Sequence, residues 1–485
     1  MLRTIRAFWH DQRGIALILV SVTLPAIIGF SLLVIDMSRV NNMHNDLQKG
    51  ADALAIAAAA ELDGKADSIT RADRALSTLV ANQYYFSDST TPEAQTLQAA
   101  GVTRRYLRTI PPTQNGVAGD ARPLTDFIID EVTDASKARY LEVKVTPVGF
   151  AAIFPVSFLS SSAAGSFDVG ATSVAGFSSS VCDFTPMFIC NPYPSIEALG
   201  ATLRGHSRPM VYLKAQSGGG NAQYGPGDYG FLKTPDGSQA TPDLTNMFAS
   251  TKPLTCYKDD GVETAPGNVP PVNDGINVRF DIYAKNGLSP TTYPPAPNVR
   301  KGMVKQVDSK GVCSYVAPTG TQTSQYMALP RDNCLVSNTC GSVTGFSRLG
   351  NGSWDLPNYW RVNHGTSTLP SDLPSDSSRW DVYNYELQHP GLTSGPEATG
   401  PQCHPNPLND PKRRMIYVAL IDCVANQVQG SKGPYPTQAF ASVFLTEPAG
   451  SPPSADIYGE IVDITTKAGN GSLDNFLRDE AQLYR

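Results

Sequence analysis

The sequence predicts an α+β chain: one N-terminal transmembrane helix that continues beyond the membrane, then a β-rich body braced by disulfides. Three observations lead there. Ile15 to Ile35 carries no charged residue or histidine. All eight cysteines fall after residue 181. Gly and Pro together make up about one residue in six, which disfavours a helical bundle throughout and favours a loop-rich β body. A chain of 485 residues has room for two to four domains with substantial cores. A formal net charge of −6 gives no broad basic surface, so nucleic acid is not an expected partner.

At about 1.5 Å per residue, the uncharged run spans about 31 Å, one bilayer core. Pro25 lies near its middle, a position membrane helices tolerate. Arg3, Arg6 and Arg13 precede it, and Asp36 and Arg39 follow it and cancel, so the positive-inside rule places the N-terminus in the cytoplasm. A cleaved signal peptide would have a shorter apolar region and a small-x-small site, which Val34-Ile35-Asp36-Met37-Ser38 does not offer. A buried globular helix is the remaining rival reading.

Beyond the span, Val40, Met43, Leu47, Ala51, Leu54 and Ala58 recur at helical steps, with Asn41, Asn42, Asn45 and Lys49 on the other face. Two uses of this stripe stand side by side. It packs inside the chain on a second helix, expected over Ile69–Tyr84 with Ala72, Leu76, Leu79 and Val80, or it is a partner face made of Val40, Leu47, Ala51, Leu54 and Ala58. Residues 87–122 read as a connecting loop. Phe127-Ile128-Ile129, a turn at Asp134-Ala135-Ser136-Lys137, and Leu141, Val143 and Val145 alternating with Glu142, Lys144 and Thr146 read as a β-hairpin. Phe167, Val169, Ala171, Ala175 and Phe177 give another strand of period two.

Breakers then punctuate the chain at Ser217-Gly218-Gly219-Gly220, Pro270-Pro271-Val272-Asn273 and Tyr293-Pro294-Pro295. Met415–Ile421 is the strongest candidate for a central buried strand, followed by strands at Ala439–Leu445 and Ile457–Val462. Leu473, Phe476, Leu477 and Tyr484 suggest a short amphipathic tail helix. The resulting organisation is a cytoplasmic segment at 1–13, a transmembrane helix at 14–35, a helical extension at 36–86 and a small β-containing domain at 87–181. A Gly/Pro-rich β-containing domain at 182–466 and a tail helix at 467–485 follow.

Cys182, Cys190, Cys256, Cys313, Cys334, Cys340, Cys403 and Cys423 are even in number and widely spaced, without a C-x-x-C pair, which suits disulfides in an oxidising compartment. The neighbours Cys182 with Cys190 and Cys334 with Cys340 could close short loops; the connectivity is otherwise open.

Catalytic signatures are missing: no G-x-S-x-G elbow, no H-E-x-x-H, no Walker loop, no G-x-G-x-x-G after a strand. No metal or cofactor is expected. His404 beside Cys403 reads as a surface histidine next to a disulfide. Asp259, Asp260 and Glu263, and Asn273, Asp274 and Asn277, read as polar turns, since neither fits a calcium loop. Asp36-Met37-Ser38-Arg39-Val40 and Leu420-Ile421-Asp422-Cys423-Val424 both fall short of the D-x-S-x-S metal site of von Willebrand A domains.

Asp11-Gln12-Arg13-Gly14, the apolar span with Pro25, Asp36, Leu47-Gln48 and Ala51-Asp52-Ala53-Leu54-Ala55 resemble the Tad domain of Flp pilus-assembly proteins, with TadG-like proteins the nearest in kind. Looser likenesses to large TadG-related proteins lie at Val181–Pro192, Gly227–Leu232, Gly275-Ile276-Asn277-Val278-Arg279-Phe280-Asp281 and Arg413-Arg414. The resemblance implies a single-pass protein of a bacterial inner membrane, with extension and body in the periplasm, and a structural or assembly role rather than catalysis. Its partners would be other Tad/Flp pilus-assembly proteins. A surface-directed adhesin or pilus-tip component is the alternative, and a periplasmic hydrolase a more distant one. Arg13-Gly14 supplies a peptidase cut like that of the similar pseudopilins, but Leu19 stands where they carry an acidic residue, which argues against processing.

Overall fold

The computed structural model describes residues 13–63, 66–78, 83–87, 94–97, 99–108, 110, 131–135, 138–154, 166–215, 222–234, 240–253, 256–258, 261–265, 272–283, 287–341, 348–392, 397, 400–450, 456–465, 469–473 and 477–484. The chain divides into two compact units, Met1–Ser178 with Asp479–Arg485, and Ser179–Arg478.

The first unit is built on helix α1, Arg13–Ala59, which runs unbroken through Pro25 for 47 residues. The charge-free run and the amphipathic stripe are therefore parts of one rod, about 70 Å long. Its N-terminal part is long and apolar enough to cross a membrane and is unburied, with Ile18, Val22, Ile27 and Phe30 all exposed. The hydroxyls of Ser21, Thr23 and Ser31 donate to Ile18, Leu19 and Ile27 carbonyls of the same helix, so they need no water.

Past Asp36 the helix turns one face inward. Met43, Leu47, Ala51, Leu54, Ala55 and Ala58 share a core with Ala72 and Leu76 of helix α2, Ser68–Thr78, and with one face of an antiparallel sheet. That sheet runs in the order Leu477–Leu483 (β15), Ser166–Cys182 (β5), Tyr140–Ala151 (β4), Val102–Leu107 (β3). A two-residue pair, Gln83–Tyr84 (β1) with Gln95–Thr96 (β2), completes the unit. Leu141, Val143 and Val145 point into the core, while Lys144 and Thr146 stay exposed, as their alternation predicts. Glu142 departs from that pattern. It is buried because the Arg105 guanidinium grips its carboxylate at 2.8 Å.

Several expectations change here. The second helix is described over Ser68–Thr78, and Tyr84 is in a strand; Leu79 and Val80 lie outside the described residues. The supposed loop at 87–122 holds β2, a turn of 3₁₀ helix at Ala99–Gly101 and β3. β3 is a neighbour of β4 in the sheet, and Phe127-Ile128-Ile129 lie outside the described residues. The tail expected as a helix at 467–485 is strand β15 over Leu477–Leu483. Its sequence has helix formers, but pairing on β5 decides its state, with Tyr484 N–H donating to Val174 and the Tyr484 ring edge-on to Tyr140.

The second unit centres on a closed six-stranded barrel in the order Met415–Ile421 (β12), Ala439–Leu445 (β13), Ile457–Ile464 (β14), Met210–Ala215 (β7), Asp228–Phe231 (β8), Met187–Cys190 (β6). The β12–β6 and β7–β8 pairs are parallel and the others antiparallel. β12 is the central buried strand its apolar run predicts, and it serves two faces. Ile416, Val418 and Leu420 join one core, closed by helices α3 (Ile196–Leu203), α4 (Thr241–Ala249) and α5 (Val272–Asn277). Ala419 and Ile421 join a second core. Met415 joins a third, with α7 (Leu356–His364) and α8 (Arg379–Gln388).

The remaining described strands and α-helices are the short strand Cys256–Lys258 (β9), paired with the last residues of β5, the hairpin Val304–Val307 (β10) with Cys313–Val316 (β11), and a single turn, Asn333–Val336 (α6).

All eight cysteines are disulfide-bonded, as Cys182–Cys256, Cys190–Cys423, Cys313–Cys403 and Cys334–Cys340. The Cys334–Cys340 loop matches the sequence expectation. Cys182 with Cys190 does not, because the two residues sit in different strands with different neighbours. β9 brings Cys256 opposite Cys182, and the parallel β6–β12 pair brings Cys423 to Cys190.

Candidate functional site

Where the exposed part of α1 gives way to the buried part, one carboxylate holds the junction. Asp36 is buried, and its oxygens accept from the backbone N–H of Ile153 at 2.9 Å and of Phe154 at 2.7 Å. Arg39, one turn on, pairs with it at 3.0 Å and lies over the rings of Phe86 and Phe150, 4.8 and 5.3 Å from their centroids. A charge that would be costly alone is thus hydrogen-bonded and paired. The effect is to fix the end of β4 to the helix where its apolar segment ends.

The stripe proposed as a partner face is occupied by the chain itself. Leu47, Ala51, Leu54 and Ala58 are at most 1% exposed in the α1–α2–sheet core, and Val40 packs at its edge. The alanines do permit close approach, but the elements that approach are α2 and β4. The partner-face reading is corrected accordingly.

No group of three or more potential metal-ligating side chains occurs among the described residues. Cys403 is in its disulfide, and His404 Nδ1 lies 2.7 Å from Asp281. Asp259 and Asp260 lie outside the described residues, while Asn273 and Asn277 hold carbonyls of the 449–450 turn.

Sequence reading missed a set of buried cations in the second unit. Three are neutralised by carboxylates: Arg300 by Glu386, Lys301 by Glu397, and Arg379 by Asp332 and Glu460. Arg414 donates to the carbonyls of Leu445 and Thr446 and lies against the rings of Phe280, Tyr383 and Phe444. Arg279 and Arg413 are different. Gly275 of α5 lets α4 come close, since a Cβ there would stand 2.9 Å from Phe248 Cβ, and the turn Val278–Phe280 then aims Arg279 at the end of α4.

Arg279 donates to the carbonyls of Phe248, Ser250, Arg413 and Met415. Arg413 donates to Ala249, Ser250 and Pro294. Both bond the Ser250 carbonyl, so two guanidinium groups meet at one helix C-terminus. Burial and the Arg413 charge push Arg279 well below the usual arginine range. Burial brings Arg413 down to about 10, against the opposing pull of Tyr283 and Asp410. The signal available in the sequence was the pair of segments around Arg279 and Arg413-Arg414, noted only for family likeness; their meeting is a tertiary fact.

The fold and its best-defined junction describe a helix-led α+β protein whose first helix offers an uncovered apolar length and then enters a domain core. Residues 14–61, nearly all of α1, match the family described as putative Flp pilus-assembly TadE/G-like, so the chain carries a Tad domain at its N-terminal end. Comparison with curated proteins and with solved structures returns no match.

Proposed function

We infer that the chain is a membrane-anchored, non-enzymatic component of a Flp (Tad) pilus-assembly system, acting through protein–protein contacts. α1 spans the inner membrane with its N-terminus in the cytoplasm, and the rest of the first unit, from about Asp36 on, and the second unit stand in the periplasm. The observation that carries this reading is the uncovered apolar segment of α1 lying within the residues matched by the pilus-assembly family. The four disulfides support an oxidising compartment.

The test is a C-terminal alkaline phosphatase fusion together with fractionation and pilus counts in a deletion strain. Active phosphatase, recovery in the inner membrane and loss of pili are expected. Activity only of a cytoplasmic reporter at that end sinks the topology, and recovery in sheared pili replaces the anchor by a pilus component.

A further inference from the structure

We propose that a cavity over Arg279 and Arg413 in the second unit binds an oxyanion, a carboxylate or a phosphate group. The cavity holds about 280 Å³ and is lined by Lys252, Arg279, Lys412 and Arg413 against two carboxylates, Asp183 and Asp410. That is room for such an anion and several waters of about 30 Å³ each.

The charge balance of its floor is what asks for a ligand. Arg279 and Arg413 are buried, yet neither forms an ion pair among the described residues, whereas Arg300, Lys301 and Arg379 each do. Their donors go to main-chain carbonyls, those of Phe248, Ala249 and Ser250 at the end of α4 and those of Pro294, Arg413 and Met415. A helix C-terminus supplies roughly half a negative charge, against two full cations here. Arg414, also bonded to carbonyls, has three aromatic faces instead and does not line the cavity. Arg279 Nε is buried with no hydrogen-bond partner.

Of the two carboxylates, Asp410 accepts from the Lys412 N–H at 2.8 Å and its charge also acts on Arg413, so the lining holds four cations against two anions. Lys252 and Lys412 are exposed at the rim, so their ammonium groups can close on an entering anion. An oxyanion seated there would neutralise the floor and accept from the lysines. This inference does not depend on where the protein resides or what it assembles.

The experiment uses the purified full chain in detergent, titrated by calorimetry and followed by thermal melting. The probes are inorganic phosphate and succinate, each compared with chloride at matched ionic strength. Binding of at least one probe with a rise in melting temperature is expected. The Lys252→Gln/Lys412→Gln double variant, which keeps both arginines and hence the floor, should weaken it at least ten-fold. Lys310→Gln, in the β10–β11 turn, should leave it unchanged. Phosphate alone assigns the site to phosphate groups, succinate alone to carboxylates, and both together to oxyanions generally. Failure of both probes, or binding that the double variant leaves intact, overturns the proposal.

Discussion

Asp36 shows how much one side chain carries in this protein. Two backbone N–H groups more than a hundred residues away and one guanidinium converge on its carboxylate. Asp36→Ala would leave those N–H groups without their acceptor and Arg39 without its counter-charge. Charge-assisted bonds of this kind contribute about 1.5–3 kcal/mol each, so a loss of roughly 2–4 kcal/mol is expected. Thermal unfolding of the full chain in detergent checks it, and an unchanged melting temperature would remove the junction role. Asp36 was visible in the sequence as a motif residue beside the apolar run. Its acceptor role was not, because nothing local in the sequence points from residue 36 to residues 153 and 154.

Helix α1 is one element in two environments. Over its second half the 3.6-residue stripe faces α2 and β4, so Ala51 sits where two other elements close on the helix. Ala51→Trp should therefore overpack the core and cost about 1–3 kcal/mol or more, read as a lower melting temperature and faster proteolysis of the protein on its own. A variant that melts normally but fails to assemble pili would return the stripe to an intermolecular role.

Elements with a strong local pattern were legible: α1, β4 and β5 by their period, and β12, β13 and β14 as short apolar stretches. Elements fixed by distant neighbours were not. The residues of β15 read as part of an amphipathic helix from the placement of Leu473, Phe476, Leu477 and Tyr484, and only β5 makes them a strand. The same holds for the oxyanion-cavity floor, whose two arginines come from segments 134 residues apart.

At the scale of the molecule, the barrel and its disulfides tie far-apart stretches together. Cys190–Cys423 closes a separation of 233 residues at the β6–β12 pair. In the chain-entropy account a loop that long contributes about 5 kcal/mol, more than a short loop does. Replacing both cysteines by Ser should therefore lower denaturant resistance far more than the same change at Cys334 and Cys340, whose separation is 6. Equal effects in parallel urea titrations would mean that local strand packing, not the staple, holds the barrel closed. Alternating patterns reveal single strands; they do not say that β6 and β12 are neighbours.

The order in which the barrel strands leave the ribosome has a further consequence. β6, β7 and β8 are made first, and their partners β12 and β14 come some two hundred residues later. At roughly 5–20 residues per second, one edge of β6 and one of β7 wait roughly 10–40 s unpaired, while β8 already lies between them. Contact order this high makes closure a late event, and the half-built barrel is open to strand exchange with a second nascent copy. The intervening helices α3, α4 and α5 pack on one face of those strands and leave the free edges of β6 and β7 to β12 and β14. The two rims of the half-built barrel, on β6 and β7, are thus the last places where its hydrogen bonding is completed.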